Sequence, residues 1–120
     1  MIDYTTRQMS EAVTVVEVSG TLNENNRKYF FDCIRDMIEA GSRYIVIECH
    51  RLGPLNSAAL ASLLTARKQA TKKNGRIYLT SVSSAIAEVL EIMKLGQLLA
   101  VFPSTEAALE HIRDDKACAG

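Results

Sequence analysis

The sequence predicts an α/β domain built on a mixed, mostly parallel β-sheet of about five strands with about four helices. Two observations carry that expectation. The runs Ala12 to Ser19 (AVTVVEVS) and Arg43 to Cys49 (RYIVIEC) are rich in β-branched residues, and the second is nearly continuous in apolar character, as expected of a central strand covered on both faces. After them, apolar residues recur at helical spacing, so that strand, strand and helix are followed by three strand–helix units. Short crossovers of this kind are right-handed and keep consecutive strands close.

Ile2 to Gln8 alternates weakly and is separated from the Ala12 run by Met9-Ser10-Glu11, which makes it a hairpin partner. Asn23 can cap a helix starting at Glu24, whose inner stripe is Phe30, Cys33, Ile34, Met37 and Ile38, and Gly41 stops it. The Arg43 strand ends in a turn closed by Pro54. Ser57 or Asn56 then caps a second helix reaching about Lys73, with Leu60, Leu63, Leu64 and Ala70 inward, and Asn74-Gly75 stops it. Arg76 to Thr80 is a short strand, and Ser83 caps a helix through Met93 with Ile86, Val89, Leu90 and Met93 inward. Leu99 to Phe102 is the last strand. Pro103-Ser104-Thr105-Glu106 opens a terminal helix with Ala108, Leu109 and Ile112 inward. Residues 1–115 are expected to form a single domain and 116–120 a frayed tail.

Composition narrows the function classes. The chain has 120 residues, 48% of them apolar, so it can bury about two thirds of its extended surface and needs no staples. Fourteen basic residues balance fourteen acidic ones, which removes the electrostatic argument for direct nucleic-acid or anionic-lipid binding. The basic cluster Arg67, Lys68, Lys72, Lys73 and Arg76 reads as a solvated helix end favoured by the dipole. The longest apolar run, Leu98 to Phe102, is too short for membrane insertion, and Met1-Ile2-Asp3-Tyr4 has no secretory pattern, so a cytoplasmic location is expected. Cys33, Cys49 and Cys118 are scattered, without a CxxC pair, and read as reduced thiols with neither disulfide framework nor metal site.

Enzyme chemistry finds little support, and no cofactor is implied. There is no GxGxxG and no phosphate-binding loop ending in Lys-Ser or Lys-Thr. His50, where the central strand ends, reads as a loop or packing residue, since no Cys, Asp or Glu stands at ligand spacing beside it. A Ser57–His50 nucleophile pair lacks an orienting acid, and GxSxG is absent. Ser57 is more informative. It lies at the start of a helix that follows the central strand, where free backbone N–H groups and the helix dipole can receive a phosphate, although Ser and Asn are also ordinary caps there. Ala58, Ala59 and Ala61 leave a smooth surface suited either to docking or to close helix–sheet packing.

The order of elements, the segment Leu52 to Leu63 (LGPLNSAALASL), the early Ser19-Gly20-Thr21-Leu22 and the closing Pro103-Ser104-Thr105-Glu106-Ala107-Ala108-Leu109 resemble the STAS domain, the sulphate transporter and anti-sigma-factor antagonist family. The resemblance spans nearly the whole chain and implies a STAS-like fold. It also implies an anti-sigma-factor antagonist (anti-anti-sigma factor), a phosphoprotein of signal transduction and transcription regulation. Such a protein is bound by an anti-sigma factor or switch regulator that is a serine kinase, is released when one serine at the head of the second long helix is phosphorylated, and is restored by a metal-dependent, PP2C-type phosphatase. That serine matches Ser57. The implied partner-binding residues are Asn23, Glu24, Asn25, Asn56, Ser57, Ala58 and Ala59, with the exposed side of the second helix. Phe31 and Tyr29 flank the first helix's inner stripe and are either edge-of-core or interface aromatics.

The departures are specific. Asn56-Ser57-Ala58-Ala59-Leu60-Ala61 stands where antagonists typically carry Asp-Ser-Ser-Gly-Leu-Gly, and Asn23 stands where Asp is common. Both amides keep hydrogen-bonding capacity and lose charge, which eases a phosphoserine nearby and weakens any salt bridge to a kinase arginine. The leading expectation is partner switching controlled by Ser57. The alternative is a non-phosphorylated STAS subunit or scaffold docking on a membrane transport complex or signalling assembly. Small-ligand sensing rests on family analogy alone.

Overall fold

The computed structural model of the chain describes residues 2–10, 12–23, 25–53, 57–94 and 99–119, the side chains of 57, 58 and 115–119 excepted. Strands β1 (Ile2–Gln8) and β2 (Val13–Gly20) form an antiparallel hairpin in which Ile2 stands opposite Gly20 and Gln8 opposite Thr14. β2 pairs in parallel with β3 (Tyr44–Leu52), β3 with β4 (Arg76–Thr80), and β4 with β5 (Ala100–Phe102), giving the five-stranded order β1-β2-β3-β4-β5. Helices α1 (Arg27–Glu39), α2 (Ser57–Lys72) and α3 (Ser84–Ile92) occupy the successive crossovers, and α4 (Thr105–Ala119) follows β5. The mixed, mostly parallel α/β fold is the one the sequence predicts.

The strand order advances in one direction, so crossovers of a single hand carry α1, α2 and α3 to one face of the sheet. The α4 helix joins no further strand and covers the other face. Two cores follow. Ile45, Ile47 and Cys49 of β3 pack with Val16, Phe30, Ile34, Leu63 and Ile86 beneath the three crossover helices. Tyr44 and Val46 pack with Val13, Val15, Tyr78, Ala108 and Ile112 beneath α4. Each fully buried Val, Ile, Leu or Phe contributes roughly 1.5–3 kcal/mol relative to exposure, which is why β3, buried on both faces, anchors the sheet. On the α4 side, Glu48 accepts hydrogen bonds from Arg7 at 2.8 Å and Thr105 at 2.6 Å, joining β1, β3 and the start of α4.

Helix ends follow local chemistry. Ser83 Oγ accepts from the Ile86 N–H at 3.2 Å, the cap expected of it, and Ser104 Oγ accepts from the Ala107 N–H at 3.1 Å, capping the helix that its segment was expected to open. At the end of α2 Asn74 takes a φ of 61°, and the Gly75 N–H donates to the Ala70 carbonyl at 2.7 Å. A Cβ at position 75 would lie 2.8 Å from the Arg43 carbonyl oxygen, so only glycine fits between α2 and the start of β3.

Several boundaries differ from expectation. α1 begins at Arg27 rather than Glu24, because the asparagine-rich run closes a turn on itself first. The Asn25 and Asn26 N–H groups donate to Asn23 Oδ1 at 2.8 and 3.2 Å, and the Asn23 N–H donates to Asn26 Oδ1 at 2.8 Å. Short polar side chains here replace backbone partners and delay the helix. β3 continues through His50 to Leu52 because Ser19 and Gly20 of β2 still pair with Arg51 and Leu52. His50 is therefore an exposed strand residue, its Nε2 3.5 Å from Glu17 Oε2, and not a loop or packing histidine. Met93, expected inward, is 57% exposed, since α3 ends at Ile92 and Met93 falls off its stripe. Leu99 is buried but precedes β5. α4 runs to Ala119, past the boundary expected at residue 115, because nothing between Asp114 and Ala119 breaks a helix. The capping expected of Asn56 and the turn at Pro54 lie outside the described residues.

Cys33 and Cys49 are free and buried, and burial pushes both thiols up, Cys49 to about 12 from 9.0. Between these values the unfolded chain gives up the Cys49 proton and the native chain keeps it, so stability falls as pH rises from 9 toward 12. In urea titrations across that window, Cys49→Ala declines less steeply than the parent. Gly75→Ala lowers stability by roughly 1–3 kcal/mol, read as a lower urea midpoint at unchanged slope. Asn23→Ala costs about 1 kcal/mol by the same measurement, while Asn23→Asp, which keeps the accepting oxygen, costs less.

Candidate functional site

The site is assembled where the parallel strands end. β2 terminates at Gly20 with φ 102°, a conformation that favours glycine, and the chain turns there into Thr21, Leu22 and Asn23. Leu22 is buried and anchors this turn in the larger core. β3 ends alongside, and the Gly53 N–H donates to the Gly20 carbonyl at 2.7 Å. A Cβ at Gly53 would lie 3.0 Å from Thr21 Oγ1 and 3.3 Å from the Gly20 oxygen, so this glycine lets the two loops touch. The contact joins the end of β3 to the end of β2, just before the Asn23 turn. Asn26 fastens that turn further, its Nδ2 donating to the Thr21 carbonyl at 2.9 Å.

Ser57 is the first residue of α2, the helix start to which the sequence assigned it. The helix buries Ala59, Leu60, Leu63, Ala66 and Ala70, and leaves Ala61 and Thr65 exposed. Helical period places position 57 on the Ala61–Thr65 stripe, one turn earlier. The first amides of a helix lack intrahelical partners and the dipole there favours negative charge, so the head of α2 suits an anionic group.

The remaining assigned residues separate into distinct roles. Asn23 is half-buried, and its Oδ1 is committed to its own turn, so the group left for a partner is the Nδ2 donor. Asn25 is exposed. Ala59 corrects the expectation of a surface contact: it is fully buried against the core, where its small side chain sets how closely α2 approaches the sheet. Glu24 and Asn56 lie outside the described residues, as do the side chains of Ser57 and Ala58. Tyr29 is 56% exposed and its ring centroid lies 5.6 Å from that of Tyr4. Phe31 is half-buried and belongs to a feature the sequence reading missed. Between α1 and α2 runs a cleft of about 370 Å³ lined by Arg27, Lys28, Phe31, Ala61, Ser62 and Thr65. Its residues come from two helices whose relative placement no local pattern encodes.

Among the described residues no group of three or more His, Cys, Asp or Glu could hold a metal ion, and no helix is long and apolar enough to cross a membrane. The described arrangement comprises a helix head, a fastened polar turn and a cleft lined by α1 and α2.

Comparison with known proteins agrees with this architecture. A candidate anti-sigma factor antagonist, BtrV of Bordetella bronchiseptica (strain RB50), is 26% identical over 98 residues, covering 82% of this chain and 84% of that protein. An anti-sigma factor antagonist from Mycobacterium paratuberculosis superposes with a TM-score of 0.82 at 19% identity, over 94% of this chain and 95% of the other. The Bacillus cell fate determinant SpoIIAA in its phosphorylated form superposes with a TM-score of 0.71 at 16% identity, over 92% of this chain and 99% of the other. The chain thus resembles anti-sigma factor antagonists in sequence and in fold. The family model of the STAS domain matches residues 4–108, and the chain belongs to the STAS domain family.

Proposed function

We propose that the chain is a partner-switching regulator that binds a serine-kinase anti-sigma factor or related switch regulator, and that phosphorylation of Ser57 ends the binding. It acts by binding rather than by catalysis, in a cytoplasmic setting, with a PP2C-type phosphatase resetting the serine. The observation that carries the reading is the position of Ser57 as first residue of α2, following the strand whose end is joined to the end of β2 by the Gly53–Gly20 hydrogen bond. The similarity to antagonists, among them a protein solved in a phosphorylated form, supports it.

The physical basis is local. A phosphate at a helix start meets unpaired N–H groups and the positive end of the dipole, so the fold tolerates it. The same group adds about −1.5 to −2 charges at pH 7 to the surface that a partner must desolvate. Binding is thereby weakened without any change of fold. The amide at Asn23 presents a donor where an aspartate would present a second acceptor, which fits a partner offering a carbonyl or carboxylate at that point.

The kinase-type regulator captured by the chain from native lysate, supplied with ATP, transfers one phosphate to the wild type and none to Ser57→Ala, read by intact mass and fragmentation. The phosphorylated chain then binds that regulator at least about tenfold more weakly, equivalent to about 1.4 kcal/mol. An unchanged mass, while the same kinase phosphorylates another substrate, overturns the switch.

A further inference from the structure

The outer edge of β1 lacks the features that keep an edge strand single. β1 pairs with β2 through all seven of its residues, and no strand lies along its other edge among the described residues. Edge strands that avoid pairing are shortened, bulged, or carry proline or lysine, whereas Ile2–Gln8 is seven residues long, pairs without a register shift and contains neither residue. Beyond Ile2 only Tyr4 is half-buried, and Asp3 and Thr5 to Gln8 are exposed.

The order of side chains along β1 fits a second copy of itself. Laid antiparallel about a two-fold axis at Thr5, two β1 strands pair over their full length, with Ile2 opposite Gln8, Tyr4 opposite Thr6 and Asp3 opposite Arg7. The register that uses every residue is thus also the one that sets unlike charges across the seam, at both of its ends. Registers centred on Asp3 or on Arg7 instead place like charges face to face. Alternation puts Asp3, Thr5 and Arg7 on the α4 side, where Arg7 donates to Glu48 at 2.8 Å and Asp3 makes no ion pair among the described residues. A guanidinium carries five N–H donors, so Arg7 can hold Glu48 of its own chain and Asp3 of the second copy together. On the other side Tyr4 lies diagonal to its symmetry mate across the axis. Tyr29, 56% exposed with its ring centroid 5.6 Å from that of Tyr4, extends the apolar surface available to be covered there.

We propose that the chain forms a two-fold dimer through the outer edge of β1, joining the two sheets into one continuous sheet. Ile2 stands opposite Gly20, so each copy's Asn23 turn follows the strand end beside Ile2, and the two turns fall at opposite ends of the seam. A seam of two strands and a few aromatic rings is small for a permanent interface, and the dimer is accordingly concentration-dependent.

Sedimentation velocity of the full chain, from micromolar to millimolar concentration, shows a monomer passing to a dimer, and added salt moves that passage to higher concentration. Asp3→Arg, which sets an arginine against Arg7 at both ends of the seam, weakens the dimer at least about tenfold. Mixing it with Arg7→Asp, whose own seam is acidic at both ends, yields a dimer with one copy of each, and circular dichroism of each variant alone checks that it is folded. Register is read by cross-linking with a mild oxidant in a Cys118→Ser background, where the two remaining native thiols, Cys33 and Cys49, are buried. Thr5→Cys gives a disulfide-linked dimer, because position 5 faces itself across the axis, whereas Asp3→Cys, facing position 7, does not. A chain that stays monomeric at millimolar concentration, species that grow beyond a dimer, as when β1 meets β5 of a further copy, equal cross-linking at positions 3 and 5, or a dimer indifferent to Asp3→Arg would each overturn the proposal. These outcomes leave the reading of Ser57 untouched.

Discussion

Ile45, Ile47 and Cys49 of β3 point into one helical layer, while Tyr44 and Val46 point into the other. The first half of the strand, Tyr44 to Ile47, has no face left for water, and covering both of its faces sets the rest of the molecule. The helices between β2, β3, β4 and β5 must stack on one side because the strands follow one another in order, and α4 closes the opposite side. The same arrangement puts the loops after β2 and β3 next to each other at the carboxyl ends of parallel strands, a usual place for recognition in open α/β sheets.

Within that constraint, glycines decide how near the loops come. Gly20 supplies the left-handed turn that ends β2, and Gly53 has no side chain to hold it away from Gly20 and Thr21. Their hydrogen bond joins the ends of β2 and β3 just before the Asn23 turn. The turn itself is stiffened by reciprocal Asn23 and Asn26 bonds, so its polar groups are presented without large ordering cost on binding. Ala59 lets α2 lie close to the sheet. Close packing thus sets the surroundings of the proposed site.

How much of this was legible depended on the range of the interaction. The hairpin, the strand in RYIVIEC, the cap at Ser83 and the helix opening at Pro103-Ser104-Thr105-Glu106 are local patterns and read correctly. Ser57 at a helix start was equally local. The start of α1 was misread because asparagine side chains compete with the helix for backbone groups, a contest that residue type alone does not decide. The length of β3 was missed because the polar His50 and Arg51 belong to it only through pairing with β2. Alanine at 59 carries no strong signal of inside or outside, and its burial follows from how closely α2 sits on the sheet. The cleft at Arg27 and Lys28 required two helices in place at once.

In the proposed switch a kinase-type regulator recognises the surface around Ser57, and a phosphate there ends recognition. The most direct measurement is parallel affinity capture from native lysate, membranes included, with the chain carrying either serine or phosphoserine at position 57, and identification of the recovered proteins by mass spectrometry. A kinase-type regulator is expected with the serine form and is lost with the phosphoserine form. Recovery of the same proteins with both forms, or of permease and ATPase subunits indifferent to the phosphate, would contradict it.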